Sequence, residues 1–167
     1  FNRLAMAWKV QKRDNVQYRK ILEEMLASIE KYFGNDTSIK KEYLEKYFEY
    51  KTLIARRYWT ENNRKKAHSI LDEIIADERA DQNQLAHAYW LKGAIHSELN
   101  QFKKSLANYK AAFEKEIEDE DLFLKVSWAY AWTLYLKKQY SDAEKAFENA
   151  ISRIKDPIDQ QRYKFWL

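Results

Sequence analysis

Trp90-Leu91-Lys92-Gly93 and Trp128-Ala129-Tyr130-Ala131 stand 38 residues apart, and Trp166-Leu167 opens the same stretch once more. Their surroundings repeat with them. Shifted by that period, Ala55 falls on Gly93 and Ala131, Ala67 on Ser105 and Ala143, Leu71 on Tyr109 and Phe147, and Ile74 on Ala112 and Ala150. A chain that repeats at such a length is an array of one supersecondary unit, because a single unit cannot bury its apolar face alone. The two small columns lie 12 residues apart, and the next two columns follow four and seven positions later, on one helical face. Each unit therefore reads as two helices packed closely where the small residues meet. The expected fold is all-α, an α-solenoid of antiparallel helix pairs with a 38-residue period.

The order small, small, large, apolar resembles the tetratricopeptide repeat. Tyr89-Trp90-Leu91-Lys92-Gly93, Phe102, Tyr109 and Ala112 match its tyrosine, glycine, aromatic and alanine positions, with Ser105 where that family has alanine. The next copy regains the alanine as Ala143, with Tyr140, Phe147 and Ala150 around it. The standard repeat is about 34 residues long. The distance from Gly93 to Ala112 is the standard one, so the extra residues fall between one unit and the next, where longer helices are expected. The domain reading is a single array over residues 1–167: a divergent helical pair at 1–37, repeats at about 48–85, 86–123 and 124–161, and the start of a further unit at 162–167.

A coarse pass gives helices near 2–13, 16–33, 38–60, 64–77, 82–99, 102–117, 121–138, 140–154 and 159–167. Gly34-Asn35-Asp36 closes one helix and Thr37 or Ser38 caps the next. Asn62-Asn63, Asn100 and Ser141-Asp142 mark the tight turns inside units, and Asp156-Pro157 is a break, since the residue before proline is pushed out of the helical region. The acidic run from Lys115 to Asp121 reads as the charged first turn of a helix, favoured by the macrodipole. The chain starts at Phe1 inside a helical pattern and stops at Phe165-Trp166-Leu167 partway along one, which reads as a fragment of a longer protein.

Composition narrows the function classes. Thirty basic against 26 acidic residues gives a net charge of +4, dispersed along the chain, so a nucleic-acid partner is not expected. No cysteine is present, which removes disulfides and thiolate metal sites, and no apolar run reaches the roughly 20 residues of a membrane span. His68, His87 and His96 do not form the His-Glu-x-x-His pattern of a helical zinc site. Two glycines cannot build a phosphate-cradling loop, and no serine has the glycine context of a nucleophile elbow. No catalytic residue, cofactor or metal is expected in this chain.

Surface recognition remains. In the tetratricopeptide arrangement the first helix of each unit lines a concave groove. That resemblance implies a groove of Glu49, Thr52, Arg56 and Trp59, then His87, Trp90, Ala94 and Ser97, then Lys125, Trp128, Trp132 and Tyr135. Strict periodicity suits Trp90, Trp128 and Trp166 to packing between first helices, whereas Trp59, Trp132 and Tyr135 are aperiodic and suit ligand contact. Exposed rings are rigid anchors, enriched at binding hot spots. The expected function is an interaction scaffold for a protein or peptide. Residues 125–167 also look like the helical region before the catalytic domain of soluble lytic murein transglycosylases. The residues that carry this are Trp128-Ala129-Tyr130-Ala131-Trp132-Thr133-Leu134-Tyr135, Gln139-Tyr140-Ser141-Asp142-Ala143-Glu144-Lys145-Ala146-Phe147-Glu148 and Arg162-Tyr163-Lys164-Phe165-Trp166-Leu167. That resemblance implies a periplasmic, non-catalytic superhelix that positions the peptidoglycan glycan; without it a cytoplasmic scaffold is expected. Single-stranded RNA is disfavoured, since Glu49, Ala94 and Ser97 are not the basic or amide groups that a base-reading groove uses.

Overall fold

Three turns set the architecture. Among the described residues, Asn62, Asn100 and Lys138 are the non-glycine positions with left-handed backbone angles, at φ 64°, 56° and 60°. Each closes a helix in the same way. The amide of the following residue donates back to a carbonyl five residues earlier, Asn63 to Tyr58 at 2.8 Å, Gln101 to His96 at 2.9 Å and Gln139 to Leu134 at 3.1 Å. The left-handed residue's own amide donates to Trp59, Ser97 or Tyr135. This is the Schellman closure, which satisfies the carbonyls orphaned at a helix end and turns the chain back.

The computed structural model describes residues 15–33 and 40–167. Among the described residues there are eight helices and no strand: α1 (Asn15–Phe33), α2 (Lys41–Thr60), α3 (Arg64–Ala76), α4 (Gln82–Glu98), α5 (Phe102–Phe113), α6 (Glu120–Leu136), α7 (Tyr140–Arg153) and α8 (Pro157–Lys164). The expectations for a helix at 2–13 and for a turn and cap at 34–38 lie outside the described residues. Helix starts follow side-chain chemistry. Asp81 and Gln84 form a reciprocal capping box at α4, Asp119 accepts from the Leu122 amide at α6, and Asp156 accepts from Ile158 and Asp159 ahead of α8. Each cap satisfies amides that the helix itself leaves unpaired.

The chain groups into two compact units, Phe1–Ala80 and Asp81–Leu167. In the first, α2 packs on α1 and α3. Its interior is built from Tyr18, Leu22, Phe48, Ile54, Ala55, Leu71 and Ile74. It also holds a buried lysine: Lys51 meets Glu73 at 3.0 Å and lies over the Tyr47 ring. Burial pulls the Lys51 ammonium down, but its hydrogen bonds to Tyr47 and Glu73 outweigh that and hold it above its ordinary value. In the second unit α4 packs on α5 and α6, α6 on α7, and α7 on α8, with α5 bridging to α6. One apolar cluster runs through it, from Ala86 and Ala112 through Val126, Ala131 and Phe147 to Tyr163. All twelve residues of the four repeating columns, Gly93 and Ser105 included, are buried.

Three sequence expectations differ from the structure. The α4–α5 and α6–α7 closures correspond, but the second is made by Lys138, and Ser141-Asp142 lies inside α7. Helix α5 stops at Phe113 rather than at 117, and Glu114–Asp119 is a non-helical linker in place of a lengthened helix. Its amides at Glu118 and Asp119 donate to the Asn83 side-chain oxygen at 2.9 and 3.3 Å, which ties the linker to the first turn of α4. Finally, α8 runs from Pro157 to Lys164 instead of over 159–167, because Asp156 caps it from just ahead of the proline.

Candidate ligand-binding groove

The second unit holds an open cavity of about 970 Å³ between α6 and α8, with Trp90 of α4 and Tyr109 of α5 reaching it. Aromatic rings line most of it. Trp128, Tyr163, Phe165 and Trp166 supply the walls, and Lys125, Asp159, Gln161 and Arg162 supply its polar groups. A volume of this order, apolar with a few polar positions, suits a ligand side chain or a small ligand.

Tyr163 fixes α8 against α6. Its hydroxyl donates to the Leu124 carbonyl at 2.6 Å and lies 3.0 Å from Ser127 Oγ, while Ser127 in turn donates to Phe123. Burial pushes the Tyr163 phenol up, against the opposing effect of the nearby Ser127 hydroxyl. Trp128 sits among Phe147, Tyr163 and Trp166, all edge-on with centroids 5.6 to 5.8 Å away. Each such pair adds roughly 0.5–1.5 kcal/mol beyond the area it buries. The wall is thereby rigid before any ligand arrives.

Along α6, Trp128, Trp132 and Tyr135 stack one turn apart. Their centroid spacings are 5.9 and 5.3 Å and their planes differ by 11° and 16°. Trp132 is thus engaged with both Trp128 and Tyr135, while Trp166 abuts it edge-on at 5.0 Å. Tyr140 continues the row against Tyr135 at 5.5 Å, and Phe165 lies 5.4 Å from Trp166.

The sequence-derived groove residues separate into two sets. Arg56 and Trp59 belong to the first unit, where Arg56 is exposed and Trp59 half-buried. Thr52 is buried there, and Glu49 pairs with Lys46 at 2.6 Å. In the second unit Trp90, Lys125 and Trp128 line the cavity, His87 leans on Trp90 at 5.8 Å, and Ala94 and Ser97 are half-buried outside its lining. Trp132 and Tyr135 form the strip beside the mouth. Most of the remaining lining, Tyr109, Leu124, Arg162, Tyr163 and Phe165 among it, was absent from the sequence-derived set. The phase shared by Trp166 with Trp90 and Trp128, and the resemblance carried by residues 162–167, were the signals that pointed to this end of the chain, where Trp166 follows α8.

Electrostatically the lining is nearly neutral. Arg162 is taken up by Asp159 at 2.8 Å, and Lys125 has no ion pair among the described residues. No group of three or more His, Asp or Glu among the described residues could hold a metal ion. No helix among them is long and apolar enough to cross a membrane. Comparison with protein-family models, with curated proteins and with solved structures gives no match.

Proposed function

We propose that this chain is a non-catalytic scaffold of tetratricopeptide-like repeats that binds a protein or peptide through the aromatic groove of its second unit. The repeat reading rests on correspondence at two levels. The buried columns recur at 38 residues, and so do the left-handed turn residues Asn62, Asn100 and Lys138, whose conformations depend on backbone closure and not on side-chain type. The observation that carries the functional reading is the cavity itself: a ring-lined, preorganised hollow bordered by further exposed rings. Preorganised aromatic pockets concentrate binding energy in a few anchors.

Peptidoglycan glycan is the alternative ligand, and sugars bind by lying flat on ring faces. Trp132 is engaged with Trp128 and Tyr135 in an offset stack along α6, which reduces the ring area open to a sugar at that position. The test is a peptide array probed with the chain and with its Trp166→Ala variant, alongside sedimentation with purified peptidoglycan. Peptides bearing bulky apolar residues should bind, and Trp166→Ala should weaken them by about tenfold or more. Co-sedimentation with peptidoglycan and no peptide binding would overturn the reading in favour of the glycan.

A further inference from the structure

Helix α8 is attached to the groove by side chains more than by backbone. It packs on α7, but no Cα of α8 comes within 8 Å of a Cα of α6, whereas α4 and α6, the corresponding pair one period earlier, do approach that closely. The cavity occupies the wider gap. Among the described residues of α8, Tyr163 alone is buried, and its hydroxyl, bonded to the Leu124 carbonyl and set against Ser127 Oγ, makes the hydrogen bonds from α8 to another helix. Ring contacts add to this attachment: Tyr163 meets Phe147 of α7 at 6.0 Å, and Trp166, just after the helix, leans on Trp128 and Trp132. The segment ahead of α8 is fixed separately, since Ile154 is buried and the Lys155 amide donates to Glu120 at 3.4 Å. An eight-residue helix is not stable alone in water, so α8 persists only while docked. Segments with few buried contacts open locally, at less free energy than unfolds the core. More than half of the residues lining the cavity lie at positions 158–166, so an opening of α8 takes that wall away.

We infer that α8 is a strap that docks and undocks as a unit on the linker at residues 154–156, with the Tyr163 hydroxyl as its latch, and that the groove is complete only in the docked state. Tyr163 is then a positioning residue, acting through Phe165 and Trp166, which it holds in place. The rigid wall of the groove is the docked state, and opening is a local step below global unfolding. A ligand that fills the cavity binds the docked form, so its binding suppresses the opening. The opening is a property of the free chain; its suppression rests on the peptide-binding reading above and adds regulation to that site.

The experiment is amide hydrogen exchange, read by mass spectrometry, on the chain and on its Tyr163→Phe variant, each free and with a short labelled peptide bearing a central Leu-Phe pair. Binding of the peptide is followed in parallel by fluorescence anisotropy. In the free chain the amides of α8 should exchange about tenfold or more faster than those of α6 and α7. Tyr163→Phe keeps the ring and removes the latch, so α8 should exchange faster by a further factor of about three to ten while α6 and α7 keep their rates. Peptide at ten times its dissociation constant should slow α8 about tenfold. Exchange of α8 in step with α6 and α7 would overturn the strap, and a variant that speeds all three helices alike would overturn the latch. Saturating peptide that leaves α8 exchange unchanged would overturn the coupling and leave the peptide-binding reading standing. A peptide that does not bind would count against that reading, while fast, latch-dependent exchange of α8 would still uphold the strap.

Discussion

Adding a single methyl group at Gly93 tests the close helix approach on which the second unit is built. A Cβ placed there would lie 2.5 Å from both Cδ1 and Cε1 of Tyr109 and 3.1 Å from its Cγ. Tyr109 is itself buried on α5, so its ring cannot swing into solvent. Two effects oppose each other. Alanine is better than glycine inside a helix by about 1 kcal/mol, whereas overpacking a filled core costs about 1–3 kcal/mol. Gly93→Ala should therefore destabilise by about 0–2 kcal/mol, and Gly93→Leu by more. The first unit supplies the compensating change, because Ala55 and Leu71 occupy the corresponding columns. In Gly93→Ala with Tyr109→Leu the clash is gone and the propensity gain remains. Urea unfolding followed by circular dichroism, over all four corners of the cycle, should give a favourable coupling of about 1 kcal/mol or more. Additivity within about 0.3 kcal/mol would mean that the two residues do not touch, and the pairing of α4 with α5 deduced from the repeat would fall.

Four further outcomes follow from the geometry. Lys138→Gly should raise stability by about 0.5–1 kcal/mol in thermal melts, since the left-handed turn residue would lose its Cβ conflict; a drop would mean the turn is not under that strain. Asn83→Ala should cost about 0.5–1.5 kcal/mol by freeing the amides of Glu118 and Asp119, an effect absent if the linker holds itself. Glu73→Ala should destabilise the first unit far more than Lys51→Met, because the former leaves a buried ammonium without its carboxylate. The stabilisation from Lys51 is fully present below its unfolded pKa near 10.5, and alkaline titration should remove it as pH passes its raised folded value; Lys51→Met should erase that alkaline limb.

Much of the fold was legible because burial left a pattern in residue size. The columns headed by Ala55, Ala67, Leu71 and Ile74 are all interior, and Asp81, Asp119 and Asp156 sit where helices begin. What could not be read was decided by backbone energetics and by partners distant in sequence. Lys138 takes a left-handed conformation that no lysine signals, since its neighbours' hydrogen bonds impose it. Phe102, Leu106, Tyr109, Phe113 and Ile117 keep helical phase, yet the helix ends at Phe113, Ile117 is buried from the linker, and the Glu118 and Asp119 amides beyond it are held by Asn83, a partner 35 and 36 residues away in sequence. The groove was legible only in part. Periodicity assigned Trp90, Trp128 and Trp166 to packing, whereas all three line the cavity, and the stacking of Trp132 with Trp128 and Tyr135, like the contribution of Tyr163 on α8 and Phe165 after it, depends on how rings meet across elements.

The account's central claim is that ligand enters among the rings of the second unit. It is tested most directly by two-dimensional NMR of the indole N–H groups during titration with a peptide from the array that bears bulky apolar residues. The indole signals of Trp90, Trp128 and Trp166, assigned by single Trp→Phe variants, should shift together and saturate at one stoichiometric complex, while that of Trp59 in the first unit stays in place. Saturable binding that moves Trp59 and leaves those three unchanged would contradict the claim.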